Sequence, residues 1–596
     1  MEPQVQTASL LYDGLERHQP RLQFRILLLF AVALLVIGTL IGRLFYLQVL
    51  QGQAYREKAL NNRVRSSPLL APRGNILDAH GKVLATNKEA HAILFDPRRL
   101  SNSQIYQTLQ TLSEYLDEPY ADLRERIDFE NPQPIYLYHD LDSRELALVL
   151  EHKERLPGVE INTSLERFYP AKELMAHFLG HMGFLNAEDL KVPLYRNYYP
   201  GTLVGKNGIE KTYEPFLKGN DGKDMLEIQP GSDPVKRNLP TVPGQALALT
   251  IDKGLQSQCY ELLKQKGVAG SIVVMNPHTG GLLALASYPA YDPNLFNRGL
   301  STKQWQALQN HPLHPFLDRS TNSYAPGSIF KIITTLAALG TGHLTADRTF
   351  YSHGSLNVGG HIFHDWNRAG FGTVTIRQAL AYSIDTVFYQ LSLEMGIEPI
   401  RDYARRFGLG APVGIDLPEE GRGIVPDQAW KRRYVGQPWQ PGDTVNASIG
   451  QGYVQMTPIQ AARMIAAVAN GGYLVTPHLV EGIGNYGQQL RPSEQFAPQP
   501  IGIPAEHWQI VKQGLEAAGS YGTAKALKLP DVHVAGKTGT AETVPGKPNH
   551  GWIVAYAPAE APRYAVVVFL EHGRSGGGAA APVGHEVFEY LFRKKS

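Results

Sequence analysis

The sequence predicts an α+β protein of several domains: one membrane-spanning helix at the N-terminus, a polar helix-rich segment, and a larger C-terminal domain with a sheet flanked by helices. Three observations predict it. Residues 26–42 are an apolar run without a charge. Residues 51 to about 240 are polar, with helical spacing and scattered turn signals. Beyond them, apolar strand-like runs lie at both ends of the remaining chain, with helical patterns between. At 596 residues the chain is several times the ~150 residues of a typical domain.

The apolar run, Ile26 to Gly42, is bounded by Arg25 and Arg43 and extended by Leu44-Phe45-Tyr46-Leu47. At ~1.5 Å per residue it covers roughly 26 Å of a ~30 Å hydrocarbon core, and Arg43 can snorkel to the headgroups. A cleaved signal peptide would be shorter and end at a small-residue site. This chain stays apolar through Leu50, so residues 26–47 read as an uncleaved anchor behind a tail of residues 1–25. Arg17, Arg21 and Arg25 precede the helix; Arg43, Arg56, Lys58, Arg63 and Arg65 follow it. Counting positive charge leaves the orientation open.

In the polar segment, Arg73-Gly74-Asn75-Ile76-Leu77-Asp78 and Gly81 to Ala85 predict a strand, a tight turn at His80-Gly81 and a returning strand. Residues 101–155 carry helical spacing, as at Ile105, Leu109 and Leu112. No nucleophile–base pairing stands out there, which leaves a structural or docking role. Pro230, Pro234, Pro240 and Pro243 mark a composition change, so the domains are drawn as 48–240 and 241–596. After that boundary, Ala246 to Ile251 reads as a strand and Leu255 to Lys266 as a helix. Ser271 to Asn276 and Gly281 to Ala286 flank the turn Pro277-His278-Thr279-Gly280. Trp552 to Tyr556 and Tyr564 to Leu570 are further strands, and a closing helix starts near Pro582.

Composition excludes several classes. With 43% hydrophobic and 19% charged residues the chain is globular, not disordered. Lys plus Arg (57) nearly balances Asp plus Glu (55), so nothing points to nucleic acid as a partner. A single cysteine, Cys259, excludes an internal disulfide framework and a thiolate zinc cluster; in its helical stretch it reads as a buried, idle thiol.

Three short motifs carry chemistry. Ser328-Ile329-Phe330-Lys331 follows Pro326-Gly327 and opens an apolar helical run. Pro326 cannot sit inside a helix, so the helix starts about at Ser328, with the Lys331 amine on the same face one turn on. The positive end of the helix dipole then lies beside the serine, and apolar neighbours favour a neutral lysine able to take its proton. Lys537-Thr538-Gly539-Thr540 reads as an edge strand on which Thr538 and Thr540 point to one side, with glycine where something approaches the backbone closely. Their hydroxyls suit a carboxylate. The third element has competing candidates: Ser320-Thr321-Asn322, Ser355-Leu356-Asn357 and Ser383-Ile384-Asp385. Ser320 lies too close to Ser328 in sequence, and Ser355 sits in a glycine-rich strand-like stretch. Ser383 falls in a loop between two helical patterns, where a hydroxyl can face a cleft. It is the one chosen. An ionised Asp385 can only accept hydrogen bonds, so it should face a donor, the Lys331 amine.

Each motif alone is weak. Together they form the set used by serine acyl-transferases such as β-lactamases and penicillin-binding proteins. The chain closely resembles the class B (monofunctional) penicillin-binding proteins, most of all the elongation-specific penicillin-binding protein 2 group. Arg73-Gly74 through Asp78, Glu166-Arg167-Phe168-Tyr169-Pro170 and Gly205-x-x-Gly208-x-Glu210 resemble motifs of the family's non-catalytic N-terminal pedestal. Ser287-Tyr288-Pro289-x-x-Asp292-Pro293-Asn294, Gly450-Gln451-Gly452 and Thr457-Pro458-Ile459-Gln460 resemble its transpeptidase motifs. Ser383-x-Asp385 resembles this subgroup's variant of the more common Ser-x-Asn.

The resemblance implies an elongated α+β pedestal and a catalytic domain with a central antiparallel sheet. It implies a single-pass inner-membrane protein with a cytoplasmic N-terminus and a periplasmic D,D-transpeptidase that cross-links peptidoglycan stem peptides during lateral elongation. Ser328 would attack the D-Ala-D-Ala bond and release the terminal D-Ala, with Lys331 as base. The backbone N–H groups of Ser328 and Thr540 would form the oxyanion hole. Ser383, beside Asp385 and Lys537, would relay a proton to the leaving amine. Thr538 and Thr540 would hold the terminal carboxylate, with Gly539 between them in the substrate- and oxyanion-binding strand. Implied partners are a SEDS-type (RodA-like) glycosyltransferase and the elongation complex, and β-lactams would acylate Ser328. No cofactor is implied. His353, His361, His364 and Asp365 look like a metal cluster, but no cysteine completes it, and this chain has Phe371 and Ile384 where relatives carry more His and Cys, so no metal is assigned. Two rivals remain: a carboxypeptidase or β-lactamase-type hydrolase, which would not need the ~190 residues after the anchor, and a non-catalytic scaffold or β-lactam sensor, for which the intact motifs are unexpected.

Overall fold

The computed structural model describes residues 19–53, 64–129, 133–186, 188–195, 198, 202–227, 235–297, 300, 302–485, 491–492 and 497–593. Most of the tail, with Arg17, lies outside them, as do Arg56, Lys58, Arg63, Pro230 and Pro234. The described residues fall into two compact units. Parts of residues 1–69 and 222–240 form one, and residues 70–221 with 241–596 form the other.

In the first unit, the helix Gln19–Phe45 continues through a π turn, Tyr46–Leu50. Its stretch Phe24–Leu50 is long and apolar enough to cross a membrane, and none of it is buried. The unit also holds an antiparallel sheet of Val64–Leu69, Gly222–Glu227 and Val235–Leu239.

The second unit contains two sheets that matter for the site. In the first, Ile76–Leu77 turns back into Val83–Phe95 as predicted, because the Asp78 carboxylate accepts from the His80 and Lys82 N–H groups and fixes the turn. Val83–Phe95 pairs along its length with Val159–Phe168, and at one end with Ile135–Tyr138. The helix Asn102–Leu116, started by a Ser101–Gln104 capping box, lays Ile105, Leu109 and Leu112 against Ile93 and Phe95.

One expectation is corrected here. The strand Ala246–Leu249 does not join the sheet that holds Tyr564–Leu570; it pairs with Ile76–Leu77 and with Val480–Gly484. Residues 222–240 leave for the other unit, and the chain returns to complete a sheet begun at residue 76. Proline and charge content report local chain character, whereas ladder hydrogen bonds decide which segments form one body.

The second sheet has five antiparallel strands in the order Leu282–Tyr288, Gly270–Met275, Tyr564–Leu570, His550–Ala557, Ala535–Ala541. Period 2 splits its side chains between two cores. Ile272, Val274, Val566 and Val568 meet Cys259, Leu263, Val587 and Phe588 from the helices Lys253–Lys266 and Ala581–Arg593. Val273, Met275, Val567 and Phe569 join the core that holds the helices Lys331–Gly340 and Pro458–Ala469. Ala535–Ala541 is an edge strand, paired on one side only.

The N-terminal motifs meet in a buried ion network. Arg73 donates to Glu210 Oε2 and Glu214 Oε2 at 2.6 Å each, and Arg167 donates to Glu210 Oε1 at 2.6 Å. Burial alone would raise the Glu210 carboxyl, but Arg167 and Arg73 bring it below the usual carboxylate range. The next residues tie this network to the segment after residue 241: Tyr169 N–H donates to Asn294 Oδ1, and Asn294 Nδ2 donates back to the Tyr169 carbonyl.

Candidate active site

Gly327–Phe330 forms a 3₁₀ turn leading into the helix Lys331–Gly340, which puts Ser328 at the start of the helical segment. Gly327 has φ of 58°, and a Cβ there would lie 2.5 Å from the Thr540 carbonyl oxygen. Only glycine lets the serine turn come this close to the edge strand. A Cβ on Gly539 would meet the Pro326 carbonyl at 2.8 Å, so the glycine of the strand motif serves the same approach from the other side. Gly327 N–H donates to the Gly450 carbonyl, and Trp552 Nε1 donates to the Ala325 carbonyl, both at 2.9 Å.

Lys331 is fully buried at the base of the site. Its Nζ donates to Asp385 Oδ1 at 2.6 Å, to the Ser383 carbonyl at 2.9 Å and to Ser383 Oγ at 3.3 Å. Lys537 Nζ donates to the same Ser383 Oγ at 2.8 Å. The Ser383 hydroxyl thus touches both amines, and Asp385 meets the donor expected for it. Ser383 caps the helix Ile376–Tyr382 in the left-handed region, φ 58°, which turns its side chain back before Asp385 opens the helix Asp385–Met395. The rival serines are elsewhere engaged. Ser320 Oγ donates to Asp318, and Ser355 begins a strand paired with His361–His364.

Lys537 is fully buried, and burial first, then the Lys331 charge, push its amine well below the ordinary lysine value. The unfolded chain, with an ordinary lysine, binds the extra proton, so native stability rises with pH over the window from the depressed value up to about 10.5. Lys537→Met removes that group. Wild type should gain thermal stability relative to Lys537→Met as pH rises toward about 10.5, read by calorimetry; a constant difference at every pH would contradict the burial of a titrating amine.

These residues line one open cleft of about 1180 Å³, which Ser328, Ser383, Asp385, Thr538 and Thr540 share. Three contributors were given no role in the site by the sequence. Thr523 Oγ1 accepts from Thr538 Oγ1 at 2.7 Å and so orients that hydroxyl. Gln451 Nε2 reaches the Thr540 carbonyl at 3.4 Å. The hairpin Ser355–Val358 and His361–His364 forms a wall of the cleft. At its foot Asp365 is buried and accepts from the Thr386 N–H and hydroxyl; burial, then the Asp385 charge, raise its carboxyl. His361 and His364 are exposed, and among the described residues no three His, Cys, Asp or Glu side chains gather to hold a metal. Cys259 is buried away from the cleft, its thiol pushed up by burial.

The penicillin binding protein transpeptidase domain matches residues 270–589, and the penicillin-binding protein dimerisation domain matches residues 68–249. The chain is 32% identical to the peptidoglycan D,D-transpeptidase MrdA of Haemophilus influenzae, covering 96% of this chain and 92% of that protein. Penicillin-binding protein 2 of Helicobacter pylori, solved in complex with MreC, superposes with a TM-score of 0.76 at 30% identity, covering 89% of this chain and 99% of the other. A chain of a peptidoglycan synthase complex that coordinates polymerization and crosslinking gives 0.68 at 30% identity, covering 96% and 98%. With both domain models matched and relatives aligned over nearly its full length, the chain belongs to the penicillin-binding protein 2 (MrdA) family.

Proposed function

We propose that this chain is a peptidoglycan D,D-transpeptidase that cross-links stem peptides through a Ser328 acyl-enzyme, in cell-wall elongation and shape maintenance. One observation carries the reading: segments around residues 328, 383 and 538, far apart in sequence, converge on one cleft with two buried lysines sharing a single serine hydroxyl. Lys331 takes the Ser328 proton as Oγ attacks the penultimate carbonyl of D-Ala-D-Ala. The N–H groups of Ser328 and Thr540 stabilise the oxyanion. Ser383, between Lys331 and Lys537, passes a proton to the departing D-Ala nitrogen. Thr538 and Thr540 hold the substrate's carboxylate. An amine of a neighbouring stem then attacks the ester, the new amide forms, and Ser328 regains its proton. β-Lactams enter by the same attack and stay as the stable ester.

The apolar helix anchors the protein in the inner membrane, with residues 1–25 cytoplasmic and the enzyme on the periplasmic side, where its substrate lies. The segment up to about 240 serves as the pedestal and the remainder as the transpeptidase domain. A SEDS-type, RodA-like glycosyltransferase and the elongation complex are the partners. The relatives solved with MreC and in a synthase complex support that assignment.

The test is direct. Full-length protein, supplied with nascent glycan from a RodA-like polymerase, should release D-Ala and form cross-linked stem dimers by mass spectrometry. Release of D-Ala with tetrapeptide monomers alone would assign a carboxypeptidase instead.

A further inference from the structure

The lining of the cleft continues past the residues used above. Thr538, Thr540 and Glu542 are alternate residues along the edge strand and just beyond its end, and all three line the cleft. Four carboxylates line it. Asp365 accepts from Thr386, Asp385 from Lys331 and Asp443 from Lys431. Glu542 is exposed and, among the described residues, makes no hydrogen bond or ion pair. Its charge is felt within the cleft: the Tyr389 phenol, on the helix Asp385–Met395, is pushed up by burial and then by Asp385, Asp365 and Glu542. The other charged or titratable groups of the lining are Arg368, His361 and His364, all exposed on and beside the hairpin wall.

The edge strand has one free side, and an extended peptide can add to such an edge as a further strand. With the donor's terminal carboxylate at Thr538 and Thr540, a rise of ~3.4 Å per residue brings its third residue from the C-terminus level with Glu542. We propose that Glu542 is a specificity residue that selects acyl donors carrying a side-chain ammonium at that third position, a diamino-acid residue in place of a neutral one. The inference rests on the transpeptidase reading and sharpens its substrate class. A carboxylate two residues beyond the threonines adds a charge contact to a peptide already held at its C-terminus. It need not alter the acylation chemistry at Ser328.

The experiment uses full-length protein in detergent and two depsipeptide donors, acyl-Xaa-D-Ala-D-lactate, with Xaa lysine or norleucine. Lactate release gives kcat/KM, and fluorescent penicillin gives the acylation rate of Ser328 independently. Wild type should prefer the lysyl donor by about three- to fivefold, the scale of a solvent-accessible ion pair. E542Q should abolish the preference and E542K should reverse it, with each donor's rate read against the same variant's penicillin acylation rate. A wild type indifferent to the third residue overturns the proposal, and so does a preference that survives E542Q. So does a parallel fall in penicillin acylation, which assigns Glu542 to the fold. If penicillin acylates Ser328 but neither donor does, the transpeptidase reading fails, and the inference fails with it.

Discussion

Lys331→Arg should acylate with penicillin about 100- to 10,000-fold more slowly than wild type, the range that one general base contributes. Arginine keeps the positive charge but offers no neutral nitrogen near pH 7. The site also has no room for it: Lys331 is fully buried, with its Nζ already against Asp385 and Ser383. A fork of five donors cannot replace one amine there without moving the Ser383 turn. Rates with fluorescent penicillin, alongside circular dichroism to confirm the fold, check this. If Lys331→Arg acylates at near wild-type rate, then Lys331 only anchors the Ser383–Asp385 turn, and the base is elsewhere.

Glu210→Ala should destabilise the protein by about 3–5 kcal/mol, the cost of breaking a buried ion pair from one side. Glu210 is fully buried between Arg73 and Arg167, and its removal leaves two guanidinium groups without their shared partner. The loss should appear as a lower unfolding temperature in calorimetry. The network also carries a pH signature. The Glu210 carboxyl is held below its ordinary value, so its contribution is present above the ordinary carboxylate range and is lost as pH falls through the depressed value. Wild type should therefore lose stability in acid more steeply than Glu210→Ala. Molecules that remain folded should still label at Ser328. An unchanged unfolding temperature would show that the network adds nothing to the fold.

The two outcomes concern residues of different legibility. Ser328 and Lys331 were readable because a three-residue spacing on a helix is a local property, and Pro326 marks where that helix begins. Asp385 was placed opposite Lys331 by donor–acceptor reasoning alone, and the 2.6 Å contact is where that reasoning put it. Ser383 was chosen over Ser355 from its position between two helical patterns. The left-handed turn that aims its hydroxyl is a backbone fact that residue types do not state. Arg73, Arg167 and Glu210 stood out only as resembling motifs. Their reason is an ion network joining residues 137 apart in the chain, which no local pattern encodes. Thr523 was missed for the same cause, since it reaches the motif strand from a segment with no signature of its own, and Gln451 stood out only within a resembling motif, without a role. The strand at 246 was read correctly as a strand and assigned to the wrong sheet, because period 2 gives an element and not its neighbour.

The proposed mechanism stands or falls on Ser328 as the nucleophile that forms the acyl-enzyme. The full-length protein should be labelled with fluorescent penicillin, digested, and the adduct mapped by mass spectrometry, in parallel with Ser328→Ala. One adduct is expected, on the peptide containing Ser328, and no label on a Ser328→Ala protein that melts like wild type. An adduct on Ser320, Ser355, Ser383 or any other serine, or labelling that persists in Ser328→Ala, would contradict it.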